Sequence, residues 1–322
     1  MDNPPASLRA FVEALRVDGR GAIHLAGQRI ASAGSDPAKL TIALTGCVYE
    51  HLYSRPFPRA DPAPASPDGE LTGLLEQANA TRSRVEHGWS VLERGPEGGV
   101  IAARHGRLRR LTAGQFLVPD GALPAAAGAN LVVQLPSGSR TQQSGFYYCF
   151  SEGFIEANDL CPVVRLYFNV GIAGAAGLIR LLTAGLNRYE IAFQLKVTTR
   201  QSDFVRTDNA VLYLPQDSFH VAALALQPVM PAIDAMLAAD IPLFTKRLGR
   251  GIGFAEDPGP GESFGTSRSK LVAAALVAAS AGDAFPWSRF LTCFADVIAA
   301  AKLAPGALHL NPGSEDIYEL AR

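Results

Sequence analysis

Residues 164–170 constrain the fold more than any other segment. Their sequence, Val-Arg-Leu-Tyr-Phe-Asn-Val, alternates apolar with polar or amphipathic residues. Side chains two apart on a β-strand point to the same face, so the alternation predicts a half-buried strand. Arg165, Tyr167 and Asn169 would share its other face. A guanidinium, a phenol and an amide in one row can bind an oxyanion, although a solvated edge strand would show the same pattern.

The rest of the second half predicts an α+β fold. Strand-like segments at residues 145–150, 193–199 and 209–214 accompany an amphipathic helix at residues 174–187. We therefore expect a mostly antiparallel sheet with flanking helices. Residues 243–264 are rich in Gly and Pro, which predicts a long loop.

The first half predicts a smaller region of helices and strands. Residues 71–91 have helical spacing, and Asp36-Pro37 is expected to open an earlier helix. The character of the sequence changes between residues 135 and 145. We place a boundary there, with residues 1–140 as the N-terminal region and residues 141–322 as the C-terminal domain.

Composition excludes several classes of function. The chain has 322 residues, of which 48% are hydrophobic, enough to bury a large core. Its 29 basic and 30 acidic residues give a net charge of −1, so we expect neither nucleic acid nor a membrane as partner. No signal-peptide pattern or apolar stretch of spanning length is found, which predicts a cytoplasmic protein. The four scattered cysteines form no zinc-binding pattern, and no metal is expected.

Two further strands carry candidate site residues. Lys196 stands between Leu195 and Val197 on one strand, and a partly buried lysine can act as a base because burial lowers its pKa. An exposed strand lysine is the alternative. Arg206 and Asp208 come before the strand that ends near Tyr213. They could bind an anion, or form a local ion pair that fixes the turn.

The basic segment from residue 242 to 268 is the last candidate. Lys246, Arg247, Arg250 and Arg268 surround glycines whose backbone amides could approach an anion. The glycine spacing is neither a dinucleotide fingerprint nor a phosphate-binding P-loop, because no strand–turn–helix pattern surrounds it. The segment therefore predicts local phosphate binding and no nucleotide cofactor.

These segments together resemble the HopA family of type III effector-like proteins. The resemblance spans residues 144–275, and the order and spacing of its motifs are specific. The motifs are Gly145-Phe-Tyr-Tyr, Arg165-Leu-Tyr-Phe-Asn-Val, Phe193-Gln-Leu-Lys, Arg206-Thr-Asp-Asn-Ala-Val-Leu-Tyr, Pro242-Leu-Phe-Thr, Gly251-Ile-Gly-Phe-Ala-Glu-Asp-Pro and Ser263-Phe-Gly-Thr-Ser-Arg.

The resemblance implies a partner and a reaction. Family members occur in gene clusters for ribosomal peptides such as class V lanthipeptides and thioamitides. A kinase resembling aminoglycoside phosphotransferases phosphorylates Ser or Thr of a precursor peptide there, and the HopA-like protein eliminates the phosphate. The expected partners are thus the phosphorylated peptide and the kinase, with a stable complex of the two proteins as an open alternative, and no cofactor is required.

A more distant likeness to bacterial phosphothreonine lyases implies roles for single residues. Those lyases carry Lys-x-His on the first strand, where this chain has Arg165-Leu-Tyr167, and a guanidinium is a poor base. We therefore expect Lys196 to be the base and Tyr167 or Tyr213 to donate a proton or hydrogen bond. The expected phosphate ligands are Arg165, Arg206, Arg268 and Lys246, with Asn169, Asp208 and Thr245 in support.

Three alternatives stay open at this level. The protein could be a non-catalytic effector or scaffold whose arginines form structural ion pairs, or a phosphopeptide-binding module that needs the arginines but not Lys196. A cyclase that adds cysteine to the dehydroamino acid is disfavoured, because no zinc-binding set is present to activate the thiol. The N-terminal region, with Tyr49, Tyr53 and Trp89, could bind the peptide leader or the kinase, or simply complete the core.

Overall fold

The structure is a computed structural model that describes residues 5–34, 36–58, 68–119, 121, 123–153, 162–259 and 261–320. The helices are α1 (Ala6–Ala14), α2 (Pro37–Val48), α3 (Asp68–Ala78), α4 (Ala175–Asn187), α5 (Phe219–Leu226), α6 (Met230–Asp234), α7 (Phe264–Ala279) and α8 (Trp287–Ala300). A π-helical turn, Tyr49–Tyr53, continues α2.

The strands are arranged in three antiparallel sheets. The first has three strands: β1 (Leu15–Val17), β2 (Ala22–Leu25) and β3 (Gln28–Ser32). The second has five, in the order β6-β5-β4-β8-β7: β4 (Arg84–Arg94), β5 (Val100–Arg104), β6 (Arg107–Leu111), β7 (Phe116–Leu117) and β8 (Asn130–Leu135). The third has seven: β9 (Gly138–Ser139), β10 (Phe146–Phe150), β11 (Val163–Phe168), β12 (Gln194–Thr198), β13 (Ala210–Pro215), β14 (Lys246–Gly249) and β15 (Ile252–Glu256).

The seven-stranded sheet is the centre of the second half, with the order β14-β15-β11-β13-β12-β10-β9. One face carries apolar residues from every long strand, such as Leu166, Leu195 and Leu212. Helices α3, α4 and α5 cover this face, and Leu178 of α4 is fully buried against it. The prediction of an α+β fold with a mostly antiparallel sheet and flanking helices is confirmed.

A second core joins the two ends of the chain. Helices α1 and α2 pack with α7 and α8, and Phe11, Leu44, Leu276 and Phe294 are fully buried among them. Residues from both sides of the predicted boundary therefore share one core. The division at residue 140 stays a prediction about folding units.

The five-stranded sheet has a small core of its own around Trp89, which is 1% exposed. Tyr53 is also buried, and Tyr49 is half-buried beside it. Trp89 and Tyr53 are therefore core residues, and docking of a leader peptide or a kinase by the N-terminal region stays a prediction. Residues 54–68 contain five prolines, which predicts a loop, and most of this segment lies outside the described residues.

Two sequence predictions of secondary structure were wrong. The helix expected at residues 71–91 ends at Ala78, and Arg84–Arg94 is a strand because it pairs on both sides, with β5 and β8. The loop expected at residues 243–264 contains β14 and β15. Gly251, with a φ of 64°, makes the tight turn between these strands, and all five residues of β15 are buried.

The predicted opening of a helix at Asp36-Pro37 is confirmed: α2 begins at Pro37, and Asp36 Oδ1 accepts a hydrogen bond from the Ala38 backbone N–H at 2.9 Å. Among the described residues, none of the helices combines the length and the apolar character that crossing a membrane requires.

Candidate functional site

The face of the seven-stranded sheet that points away from α3, α4 and α5 carries the candidate residues in two rows. Residues directly opposite each other on paired strands point to the same face. The first row contains Phe150, Gln194, Tyr213, Arg165 and Ala255. The second row contains Tyr148, Lys196, Val211, Tyr167 and Gly253. The predicted strand alternation therefore brings Arg165, Tyr167, Lys196 and Tyr213 onto one surface.

Tyr213 lies between two cations. The Arg165 guanidinium carbon is 5.2 Å from the centre of the Tyr213 ring, and Lys196 Nζ is 5.9 Å from it. Both distances lie within the range of cation–π attraction. Burial raises the pKa of Tyr213 to about 12, so its hydroxyl keeps its proton at neutral pH and can donate a hydrogen bond.

Lys196 is half-buried and makes no hydrogen bond or ion pair with any residue that the structure describes. Its Nζ lies 4.7 Å from the centre of the Phe146 ring. Burial lowers the pKa of Lys196, and the charges of Arg165 and Arg206 add to this effect while Tyr148 and Asp208 oppose it. A lysine in this state gives up its proton more readily than an ordinary surface lysine, which is what a general base requires.

Arg165 is held by a carboxylate that the sequence analysis did not single out. Its Nε and Nη2 lie 2.8 and 2.6 Å from Asp257 Oδ2, and Nη2 is 3.4 Å from the Glu262 carbonyl oxygen. Nη1 makes no hydrogen bond with a described residue. The pair fixes the guanidinium over Tyr213, and the residue is 8% exposed.

Arg206 forms a bidentate pair with Asp208, with N–O distances of 2.9 and 2.9 Å. Its Nη2 also lies 3.1 Å from the Tyr49 hydroxyl. This is the local Arg–Asp pair that the sequence left open as the structural alternative. It does not test phosphate binding by Arg206, because Nη1 again has no partner among the described residues.

Tyr167 lies in the same row as Lys196, but its hydroxyl is buried. The residue is 3% exposed, and its ring lies 6.4 Å from the ring of Phe264. The hydroxyl oxygen makes no hydrogen bond of standard geometry with any described residue, although Tyr53 and Arg165 lie close to it, and burial raises its pKa to about 12. Tyr53 and Phe264 pack over this part of the face, so a ligand reaches Tyr213 more directly than Tyr167.

Arg268 uses its guanidinium for contacts within the fold. This residue is 3% exposed, and its Nε and Nη2 donate to the carbonyl oxygens of Leu308 and Leu310 at 2.7 and 2.9 Å. Its Nη1 donates to Ser267 Oγ at 3.1 Å. Its guanidinium therefore holds the C-terminal segment in place and is not open to a ligand.

Lys246 is likewise not part of the site. It is directly opposite Phe254 of β15, which lies on the core face of the sheet. Lys246 therefore lies on that face and not on the face that carries Lys196. Its Nζ donates to Asp316 Oδ1 and to the Tyr318 carbonyl oxygen, both at 2.7 Å. The error arose because residues 243–264 were expected to be a loop, which has no defined face.

The remaining predicted residues support the backbone around the site. Asn169 Nδ2 donates to the Asp240 carbonyl oxygen at 3.0 Å, and Thr245 Oγ1 donates to the Pro242 carbonyl oxygen at 2.6 Å. Neither side chain points a free group at Lys196. Asp208 does support the site, through its pair with Arg206.

Sequence reasoning missed four residues of the site: Tyr49, Phe146, Tyr148 and Asp257. The predicted strand at residues 145–150 was a signal for Phe146 and Tyr148, because residues two apart on a strand share one face. Tyr49 and Asp257 carried no signal, because only the tertiary fold brings them to Arg206 and Arg165.

Within the ranges that the structure describes, no group of three or more His, Cys, Asp or Glu residues is placed to hold a metal ion. The site is instead a cluster of one lysine, two arginines and several aromatic rings on a partly covered sheet face. Such a cluster favours an anionic ligand, because its cationic groups and phenol hydroxyls are hydrogen-bond donors.

Fold and site together define an α+β protein with a cationic, aromatic site on an antiparallel sheet. The sequence profile of the HopA1 effector protein family matches residues 138–307, which is 170 of the 322 residues. The chain belongs to this family.

Among solved structures, two effector proteins of Pseudomonas syringae are similar. One is from pathovar tomato strain DC3000, with 15% identity, 86% of this chain and 90% of that chain covered, and a TM-score of 0.48. The other is from pathovar syringae strain 61, with 15% identity, the same coverage and a TM-score of 0.47. No curated protein matches the chain.

Proposed function

We propose that this protein eliminates phosphate from phosphoserine or phosphothreonine in a peptide, with Lys196 as the base. The observation that carries the proposal is the state of Lys196. It is half-buried, lacks a hydrogen-bonding partner among the described residues, has a lowered pKa, and shares a sheet face with Arg165 and Tyr213.

The reaction needs a base, a neutralised leaving group and a hydrogen-bond donor. Lys196 Nζ takes the α-proton, the electrons of the Cα–H bond form the Cα=Cβ bond, and the Cβ–O bond breaks to release phosphate. The product is dehydroalanine or dehydrobutyrine. This reaction requires no oxidant, reductant or other co-substrate.

Arg165 and Arg206 are the groups that would neutralise the phosphate. Each is anchored by a carboxylate, so its guanidinium is pre-oriented, and each keeps Nη1 available. Tyr213, rather than the buried Tyr167, would donate a hydrogen bond to the leaving oxygen or to the carbonyl that gains negative charge.

The substrate would come from a protein kinase activity. By the family resemblance, we place beside this protein a kinase similar to aminoglycoside phosphotransferases, acting in the cytoplasm on a ribosomal precursor peptide. The phosphorylated peptide is then the common partner of the two proteins.

Mass spectrometry of a phosphoserine or phosphothreonine peptide tests the proposal, with the protein alone and together with the kinase. We expect a loss of ~98 Da, the mass of phosphoric acid, as β-elimination by a general base requires. Lys196→Ala and Lys196→Arg should both lose the reaction, because arginine keeps the charge but cannot act as a base. Lys39→Ala, at an exposed lysine of α2, is the matched control. Full elimination by Lys196→Ala would refute the assignment of the base.

Binding without catalysis is the second candidate, and the two carboxylate-anchored arginines favour it. A phosphopeptide-binding module needs Arg165 and Arg206 but not the base. In that case the wild type and Lys196→Ala would bind the phosphopeptide equally, and neither would change its mass. Fluorescence anisotropy on the same peptides separates this outcome from the first.

A further inference from the structure

A cleft of about 260 Å³ lies between the five-stranded and the seven-stranded sheets. On one side β6 contributes Arg109 and Arg110, with Gln115 next to them. On the other side β10 and β12 contribute Phe150 and Gln194. The cleft is outside the set of residues assigned above to catalysis or phosphate binding.

The cleft is continuous with the proposed site through the strand register. Phe150 and Gln194 are directly opposite each other, and Gln194 is also opposite Tyr213. Lys196 is two residues further along β12 on the same face, a distance of about 7 Å. A ligand that lies in the cleft therefore ends beside the base and the proposed hydrogen-bond donor.

The wall formed by β6 has unpaired backbone groups. The turn at residues 105–106 has φ values of 51° and 79°, as in a two-residue type I′ hairpin. Arg104 and Arg107, which flank it, then form a hydrogen-bonded pair, and such pairs alternate with unbonded ones along the ladder. The N–H and C=O groups of Leu108 and Arg110 therefore point away from β5, and no described strand pairs with that edge.

The side chains of the cleft match an extended peptide with negative charge. Arg110 is exposed and makes no hydrogen bond or ion pair with any described residue. The amides of Gln115, Gln142 and Gln194 offer both donors and acceptors, and Phe150 offers apolar surface. An unpaired strand edge with amides and a cation beside it suits strand addition, in which an extended peptide pairs with the edge of a sheet. Main-chain hydrogen bonds then supply affinity and side chains supply specificity.

We propose that this cleft binds the part of the substrate peptide that flanks the phosphorylated residue, as an extended strand along β6. Arg110 selects acidic side chains in that part. An extended chain spans about 3.3–3.6 Å per residue, so the preferred acidic positions begin about two residues from the phosphorylated one. The inference rests on the proposed function, because it places the reacting residue at Lys196.

A set of matched phosphothreonine peptides tests the inference. The first peptides carry Glu at the second to fourth positions from the phosphothreonine, either on its N-terminal or on its C-terminal side. The second group carries Gln at the same positions. The third group carries Glu there together with N-methylated backbone amides. Binding is measured by anisotropy and elimination by mass spectrometry, for the wild type, Arg110→Gln and the control Arg29→Gln, an exposed arginine of β3.

We expect the Glu peptide to bind about fivefold more tightly than the Gln peptide from one side only, the size of an exposed ion pair. This preference should disappear in Arg110→Gln, persist in Arg29→Gln, and weaken on N-methylation. Equal binding of the Glu and Gln peptides to the wild type, or an unchanged preference in Arg110→Gln, would overturn the inference. Elimination at the same rate for every flanking sequence would refute peptide binding in the cleft but not the lyase activity. An Arg110-dependent preference without elimination would support peptide binding in the cleft and refute the lyase activity.

Discussion

Arg165 and Tyr213 lie directly opposite each other on neighbouring antiparallel strands, and the guanidinium carbon of Arg165 is 5.2 Å from the centre of the Tyr213 ring. This contact places a cation, a phenol and, beyond the ring, the Lys196 ammonium within one small area. The carboxylate of Asp257 holds the arrangement on the other side of Arg165.

Replacing Lys196 by Met should abolish elimination and stabilise the fold. Burial lowers the pKa of Lys196, so the folded protein binds this proton more weakly than the unfolded chain does. Below the pKa that Lys196 has in the folded protein, its charged form destabilises the fold. The free energy of unfolding therefore rises as the pH increases from that pKa towards 10.5, the ordinary pKa of lysine. The advantage of Lys196→Met should be roughly 0.5–2 kcal/mol at pH 7 and should shrink at alkaline pH. Urea unfolding at several pH values measures it, with Lys39→Met as the control; an advantage that grows with pH would contradict the argument.

Removing the hydroxyl should have opposite consequences at the two tyrosines of the site. Tyr213→Phe should lower kcat by roughly 10²-fold, because a hydrogen bond that forms as charge develops is lost. Tyr167→Phe should keep elimination and leave the free energy of unfolding unchanged or slightly higher, because its buried hydroxyl has no hydrogen-bond partner of standard geometry in the described part of the chain. Steady-state kinetics and urea unfolding of both variants are the measurements. Loss of activity in Tyr167→Phe alone would return the donor role to that residue.

Arg268→Met should destabilise the protein without removing a phosphate ligand. It leaves the buried carbonyl groups of Leu308 and Leu310 without their donors, at a cost of about 2–3 kcal/mol. Arg289→Met, at an exposed arginine of α8, should cost less than about 0.5 kcal/mol. Hydrogen exchange should increase first in residues 308–318. If folded Arg268→Met failed to bind phosphopeptide while its exchange was unchanged, the structural role would be wrong.

Gly265→Ala should disturb the cover of the site at the start of α7. A Cβ there would lie 2.3 Å from Tyr53 Cε1 and 2.7 Å from Tyr49 Cε2, which forces both rings to move. We expect a loss of about 1–3 kcal/mol in unfolding free energy, as for other overpacked positions. Gly73→Ala in α3 meets nothing within 4 Å and should be neutral or stabilising, since alanine favours helices. Thermal unfolding of the pair checks this, and equal effects would show that Tyr49 and Tyr53 are not tightly packed.

The sequence by itself determined strands β11, β12 and β13 and the face on which Arg165, Tyr167, Lys196 and Tyr213 meet. Alternation with a period of two depends only on local backbone geometry, and antiparallel neighbours keep the same face in register. The resemblance of residues 144–275 to the HopA family agrees with the profile of the HopA1 effector protein family, which matches residues 138–307.

Only the tertiary structure decided which cations are open to a ligand. Arg268 and Lys246 are as cationic in sequence as Arg165, but one donates to buried carbonyl groups and the other lies on the core face. Their partners, Leu308, Leu310, Asp316 and Tyr318, are more than 35 residues away along the chain. The energy of a charged group depends on what the fold places around it, and local sequence carries no information about contacts at that separation.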